Sequence, residues 1–298
     1  MQIILKQLSI LYIFFLIGWL IGKTKKDKAS HADILSVLLV NVFLPCKVFN
    51  TFSKNVTVAY ISEKYILLIT SLILLAIMTA IAPFLARLLT KNKYEKKVYT
   101  YSFIIGNYGY LGYALIEYVF GEAILTDFML FVIPFVLFTY TAGYMMLTGS
   151  GFSVKRLITP NTVSIALGIA AGLTGVYIPE IIATTTATAS ACVGPLSMLL
   201  TGITLSTFAA KDLVSNKTAY IVSFIRLIAF PAVAYFICKG ARLDTLLPMI
   251  LMVCCMPCGL NTVVFPKIVG EDCTTGARLA LITHTLSIIT LPLWLSLI

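Results

Sequence analysis

The chain has 298 residues, of which 59% are hydrophobic and only 11% are charged, and its formal net charge is +10. Soluble domains carry roughly 25% charged residues, so this chain has too little polar surface to cover a water-soluble globule. The composition excludes a soluble globular domain and predicts an all-α polytopic membrane protein embedded in a lipid bilayer.

Ten apolar segments follow one another along the chain. Each is long enough to cross the membrane, because a span needs about 20 mostly apolar residues. They lie at 4–22, 32–52, 65–89, 98–120, 124–147, 158–177, 184–208, 218–238, 245–267 and 277–297. The first is predicted to be a permanent helix rather than a secretory signal, since no small-residue cleavage site follows it.

The basic residues are distributed as a topology signal, and no nucleic-acid partner is predicted. Fifteen Lys and Arg residues lie in the odd-numbered loops, six lie on the opposite side, and Arg226 lies inside a span. The odd-numbered loops include the cluster Lys23, Lys25, Lys26 and Lys28. Because cytoplasmic loops carry an excess of positive charge, we expect a multi-pass protein of the cell (plasma or inner) membrane with both termini outside the cytoplasm.

Residues recur at a nearly constant spacing, which predicts two homologous halves. The pairs are Gly18 and Gly168, Gly22 and Gly172, Pro45 and Pro195 (all 150 apart), Pro83 and Pro231 (148) and Gly121 and Gly270 (149). Each half holds five spans, and because five is odd the second half must be inverted relative to the first. The predicted organisation is a first five-helix repeat at 1–147, a short cytoplasmic connector at 148–157 and a second, inverted repeat at 158–298.

The fourth and ninth predicted spans each contain helix breakers near mid-membrane, GNYG at 106–109 and MPCGLN at 256–261. Unwound backbone is tolerated inside a membrane only where it is buried in protein or lines a watery cavity. Two breaks in matching positions indicate a transporter's substrate site. Where the breaks meet, two half-helix N-termini would converge and favour an anion. Close helix packing is the alternative interpretation of the glycines.

The candidate substrate-binding residues are Gly106, Asn107, Tyr108 and Gly109 of the first break, Pro257, Cys258, Gly259 and Asn261 of the second, and Lys47 of the second span. Asn107 and Asn261 would supply neutral N–H donors for a carboxylate. Lys47 is predicted either to snorkel to the interface or to attract an anionic substrate. Arg226 is expected to reach the headgroups or to cap a backbone carbonyl.

His284 lies near the middle of the tenth span and is the candidate proton-coupling group, with a packing histidine as the alternative. Cys254 to Cys258 contain a CxxC, but the chain has no second CxxC and only two histidines. Helix packing is therefore predicted in preference to a metal or redox site, and no cofactor is expected. A channel would need a ring of charges around a pore, and none is evident in the sequence. An enzyme would need a motif that pairs Ser102 with His284, and none is present.

Several motifs, in this order, resemble the auxin efflux carrier family and its bacterial PIN-like branch. They are NVFLP at 41–45, GNYGYLGYALIEYVFGE at 106–122, VGPL at 193–196 with Gly202, Arg226 five residues before Pro231, MPCGLN at 256–261 and TLPLW at 290–294. The resemblance covers almost the whole chain. It implies ten transmembrane helices in two inverted five-helix repeats, crossed broken helices 4 and 9, a scaffold of spans 1, 2, 6 and 7, and an elevator-like movement of the rest.

The resemblance also implies transport of small organic carboxylates, auxin-like or malate- and malonate-like, with Asn107 and Asn261 at the substrate-binding crossover. The predicted function is thus a secondary carrier for small organic anions, not an enzyme, that works by alternating access. The alternative is a Na⁺- or H⁺-coupled carrier of the same architecture, similar to bile-acid symporters, with sodium near Ser197, Thr201 and Thr204. No Asp or Glu is predicted near the midplane, which disfavours a sodium/proton antiporter. A homodimer through the scaffold helices is a further expectation.

Overall fold

The computed structural model describes residues 2–24 and 28–298, and this part of the chain is helical, without a β-strand. The all-α class predicted from composition is therefore confirmed. Lys25 and Lys26 of the predicted cytoplasmic cluster lie outside the described residues.

The helices are numbered α1 to α10 in chain order, and the two halves of an interrupted helix are marked a and b. Their bounds are α1 Gln2–Thr24; α2 Lys28–Leu38, Leu39–Phe43 and Leu44–Asn55; α3 Val58–Leu89; α4a Lys93–Ile104; α4b Tyr108–Gly112 and Tyr113–Phe120; α5 Glu122–Phe131, Ile133–Phe138, Thr139–Gly143 and Tyr144–Thr148; α6 Pro160–Thr174; α7 Glu180–Ala191 and Val193–Ser206; α8 Lys217–Phe224, Ile225–Ala229 and Phe230–Gly240; α9a Leu247–Cys255; α9b Asn261–Ile268; and α10 Thr274–Leu295. Four of these segments are π-helical turns: Leu39–Phe43, Tyr108–Gly112, Thr139–Gly143 and Ile225–Ala229. A 3₁₀ turn, Val154–Leu157, lies before α6, and a short helix, Ala210–Val214, follows α7.

Six of the described helices are long and apolar enough to cross a membrane, and α5 makes a seventh if its 48° bend is counted within one span. The protein is thus a multi-pass helical membrane protein. The other three predicted segments do not contain one long helix, since α6 is short and α4 and α9 are interrupted. The count of ten spans stays a prediction.

The helix ends follow local sequence signals. Thr57 caps α3 and Asn92 caps α4a, because their side-chain oxygens accept hydrogen bonds from backbone N–H groups of the first turn. Thr159 forms a capping box ahead of Pro160 at the start of α6, and Gly175 ends that helix in the left-handed conformation, with φ 64°. These signals keep α6 to fifteen residues.

Two glycine motifs bring helices of the two chain halves into close backbone contact. A Cβ atom on Gly18 of α1 would lie 2.2 Å from the Leu199 carbonyl oxygen of α7. A Cβ atom on Gly168 of α6 would lie 3.2 Å from the Phe49 Cα of α2. Small residues allow such approaches in membrane helices. The two contacts are equivalent in the repeat. Gly168 lies 150 residues after Gly18, and Leu199 lies 150 residues after Phe49.

Candidate substrate site

The two interrupted helices meet at their breaks, as the sequence predicts. Gly106 of α4 and Cys258 of α9 form an isolated antiparallel β-bridge. The Asn107 backbone N–H donates to the Pro257 carbonyl at 2.7 Å. Each unwound segment thus supplies hydrogen-bond partners for the other, which removes part of the cost of unpaired backbone inside a membrane.

A small cavity of about 50 Å³ lies beside this crossing. Residues of both breaks line it together with side chains of α2, α5 and α6: Leu44, Ile105, Gly106, Asn107, Tyr108, Gly109, Tyr110, Tyr113, Val136, Thr139, Tyr140, Asn161, Gly259, Leu260 and Asn261. Within the described part of the chain, no Asp, Glu, Lys, Arg or His is among them. The volume suffices for a few water molecules.

Two helices begin at this cavity, α4b and α9b. The first N–H groups of a helix lack partners within the helix, and the helix dipole places about half a positive charge there. Asn107 caps α4b, since its side-chain Oδ1 accepts the Tyr110 backbone N–H at 3.3 Å. The cavity is therefore electropositive without a charged side chain in its wall.

Asn107 is held by His284 of α10. Asn107 Nδ2 lies 2.8 Å from His284 Nε2, and His284 Nδ1 lies 2.7 Å from the Ala280 carbonyl oxygen. Because a carbonyl only accepts, the ring hydrogen is assigned to Nδ1, and Nε2 accepts from the Asn107 amide. This leaves Asn107 one further N–H. His284 is fully buried and does not line the cavity, so its geometry is that of a positioning residue, while proton coupling stays a prediction.

Asn261 has a similar arrangement on the other broken helix. Its Nδ2 donates to the Tyr101 hydroxyl at 3.1 Å, which also leaves one amide hydrogen. The Tyr108 hydroxyl pairs with the Thr139 hydroxyl at 2.9 Å, which fixes an aromatic wall. Two asparagines, each held through one N–H, thus border the same cavity.

Other predicted site residues occupy different positions. Pro257 and Cys258 do not line the cavity and serve the crossing through their backbones, with the Cys258 N–H donating to the Thr283 hydroxyl at 3.1 Å. Gly109 and Gly259 do line it.

Lys47 does not snorkel, and that expectation is wrong. Its side chain is only 1% exposed and pairs with Glu117 at 2.6 Å, so it joins α2 to α4b. Glu117 matches the buried charge, and this is the physical reason that Lys47 stays inside the protein. Lys47 is not among the residues that line the cavity.

The structure gives two residues near the crossing contacts that the sequence did not predict in full. Asn161 of α6 lines the cavity, is 7% exposed, and its Oδ1 has no hydrogen-bond partner among the described residues. Its only sequence signal is a lone amide in the first turn of a predicted span, which resembles an ordinary helix-start residue. Arg226 was expected to reach headgroups or cap a carbonyl, and it donates to three carbonyls.

A multi-pass helical protein whose two interrupted helices cross beside an electropositive cavity has the construction of a membrane transporter. The family model described as membrane transport protein matches residues 3–156 and 150–295. The chain belongs to this family, the auxin efflux carrier family, so the resemblance seen in its motifs is confirmed. An uncharacterized transporter of Methanocaldococcus jannaschii is 28% identical in an alignment 298 positions long that covers 96% of this chain and 96% of the relative.

Proposed function

We propose that this transporter is a secondary carrier for small organic anions, with the substrate carboxylate bound where α4 and α9 cross. The observation that carries the proposal is the start of α4b and α9b at one cavity, each with an asparagine beside its first turn. Two converging helix N-termini favour a negative charge. Malonate and malate are the first substrates to test, by the family resemblance.

The binding chemistry relies on neutral donors. Asn107 and Asn261 each keep one amide N–H after bonding to His284 and Tyr101, and a carboxylate accepts several such bonds. Asn161 adds an amide whose oxygen has no hydrogen-bond partner among the residues that the structure describes, which suits a hydroxyl on the substrate. Without a lysine or arginine in the wall, release does not require breaking a salt bridge.

We further propose that 1–147 and 158–298 are inverted five-helix repeats joined at 148–157, with both termini outside the cytoplasm. The glycine contacts at a common shift of 150 residues support two homologous halves, and the two family-model ranges, which overlap at 150–156, support a division at the connector. The excess of Lys and Arg in the odd-numbered loops supports the orientation of the termini. In this arrangement α1, α2, α6 and α7 form the scaffold, a surface for a homodimer.

Movement of the other helices would carry the site across the membrane. The cavity lies at the boundary, because Leu44 and Asn161 come from scaffold helices and its other lining residues come from α4, α5 and α9. Ligand pockets usually measure about 300 Å³ or more, so this cavity of about 50 Å³ has to widen to hold a substrate. Substrate entry then requires the two units to separate on one side.

The test is ligand binding by the detergent-purified protein, measured by thermal shift and calorimetry with malonate, malate and an auxin-like aromatic acid. An acid at 100 times its dissociation constant should stabilise the wild type by about 2.7 kcal/mol. Asn107→Ala and Asn261→Ala should each weaken binding by roughly 1 to 3 kcal/mol, the cost of a hydrogen bond to a charged group.

Asn41→Ala is the matched control. Asn41 is exposed on α2 and its amide donates to the Val37 carbonyl of its own helix, so acid binding should be unchanged. Equal affinity in wild type and both site variants would refute the site. Saturable uptake into proteoliposomes would support a carrier, and uptake proportional to concentration would support a channel.

A further inference from the structure

Arg226 of α8 is fully buried beside the crossing, and its guanidinium group donates hydrogen bonds to three backbone carbonyls. Nε bonds to Met256 O at 3.1 Å, Nη1 to Phe103 O at 2.9 Å and Nη2 to Val253 O at 3.0 Å. Arginine stays protonated at any physiological pH. A permanent positive charge is thus fixed inside the membrane-embedded part of the protein.

The three carbonyls belong to the ends of both broken helices. Phe103 lies in the last turn of α4a, and Val253 and Met256 lie at the end of α9a. The last carbonyls of a helix lack N–H partners within the helix and carry a partial negative charge. None of the ion pairs among residues 2–24 and 28–298 involves Arg226. The two helix ends are therefore its counter-charge.

The backbone at the crossing leaves room for this guanidinium group. A Cβ atom on Gly106 would lie 2.3 Å from Arg226 Nη2 and 3.0 Å from the Met256 Cβ. Any side chain at residue 106 would therefore push the guanidinium away from its carbonyls. Gly106 therefore leaves space for the Arg226 guanidinium group, in addition to lining the cavity.

We infer that Arg226 is a built-in cation that takes the place of a free monovalent cation at the crossing. Converging carbonyl oxygens are ligands that Na⁺ and K⁺ also use, and here Arg226 saturates them. The inference rests on the proposed function and deepens it: the carrier binds its anion without a co-bound Na⁺ or K⁺.

Two of the three hydroxyls considered as sodium ligands, those of Ser197 and Thr201, donate hydrogen bonds to carbonyls of the protein. Ser197 Oγ donates to the Tyr110 carbonyl at 2.7 Å, and Thr201 Oγ1 donates to the Ser197 carbonyl at 2.7 Å. Both side chains are fully buried. Ser197 thereby joins α7 to α4b, which is a structural role, whereas the Thr201 bond lies within α7.

The experiment compares melting temperatures of the purified protein in sodium, potassium and choline chloride at equal ionic strength. The wild type should melt at one temperature in all three salts. Arg226→Ala should melt lower and should be restabilised, saturably, by added guanidinium ion; an ion at ten times its dissociation constant contributes about 1.4 kcal/mol. Lys239→Ala is the control, because Lys239 lies on the same helix but is 46% exposed and pairs with Asp244 at the surface.

Saturable stabilisation of the wild type by Na⁺ or K⁺ would overturn the inference. So would a folded Arg226→Ala protein that no cation, guanidinium included, restabilises beyond the Lys239→Ala control. If Arg226→Ala does not fold, the melting temperatures of the wild type in the three salts still test the inference. Arg226→Lys then replaces Arg226→Ala in the restabilisation measurement.

Malonate binding separates this inference from the proposed function. Malonate that binds the wild type with equal affinity in sodium and choline supports both. Malonate binding that requires sodium keeps the anion site and overturns the resident cation. Absence of any acid binding, with cation-independent melting and guanidinium rescue, overturns the anion site and keeps the role of Arg226.

Discussion

Replacing Asn107 and His284 singly and together should reveal one shared interaction. Asn107→Ala removes the cap of α4b, worth about 1 kcal/mol, and leaves the buried His284 Nε2 without its donor, which costs about 1 to 3 kcal/mol. We expect a total loss of about 2 to 4 kcal/mol in the free energy of unfolding. His284→Leu leaves the Asn107 amide unpaired and should cost about 1 to 3 kcal/mol. The His284 bond to the Ala280 carbonyl adds little, since that carbonyl lies within the α10 helix.

The double variant should lose less than the sum of the single variants, by about 1 to 2 kcal/mol, because the Asn107–His284 bond is counted once. Reversible SDS unfolding in mixed micelles, followed by tryptophan fluorescence, measures all three losses. His284→Leu should also weaken acid binding although His284 is outside the cavity wall, because the freed Asn107 amide can rotate. Additive losses to within about 0.5 kcal/mol, together with unchanged acid binding in His284→Leu, would refute the positioning role.

Two further predictions use the same unfolding assay. Gly18→Ala should destabilise by about 1 to 3 kcal/mol through overpacking, because the new Cβ would meet the Leu199 carbonyl at 2.2 Å. Gly240→Ala, where a Cβ would meet nothing within 4 Å, should stay within about 0.5 kcal/mol of wild type; equal losses in the two variants would contradict the packing argument. Lys47→Met should cost about 1 to 3 kcal/mol, less than for a fully buried pair because Glu117 is partly exposed, and adding Glu117→Gln should recover part of the loss.

The sequence predicted the features that depend on backbone chemistry. Gly106 and Pro257 have low helix propensity and lie within apolar runs beside further glycines, so both breaks were predicted without a structure. Gly18 and Gly168 were recognised from the sequence as repeat markers, and the structure adds that each lies at a close contact between helices, which small residues permit. The repeat spacing of about 150 residues then identified the two breaks as equivalent positions in the two halves. Residue type and spacing can be read directly from one sequence, so these features could be predicted without a structure.

Side-chain partners were harder to predict because they come from distant parts of the chain. Lys47 and Glu117 are 70 residues apart, and the position of Lys47 along its own span did not reveal this partner. Asn107 and His284 are 177 residues apart, so the sequence indicated a titratable group but not the amide it holds. Asn161 reaches the cavity only because α6 packs against α2. In each case tertiary packing, and not residue type, decides the role.

The crossing has two chemically different sides, and under the proposed function this asymmetry is the basis for selecting an anion. Each broken helix contributes a carbonyl end and an amide end. Arg226 binds the carbonyl ends of α4a and α9a, so their partial negative charge is neutralised inside the protein. The amide ends of α4b and α9b face the cavity and have no resident carboxylate in the described chain. A cation that entered the cavity would meet two positive helix ends, whereas an anion would complete the charge balance. On this argument Arg226→Gln should weaken malonate binding less than it destabilises the fold, because Arg226 does not line the cavity; the reverse order, in acid titrations and unfolding curves of the same preparation, would place the guanidinium in the binding site itself.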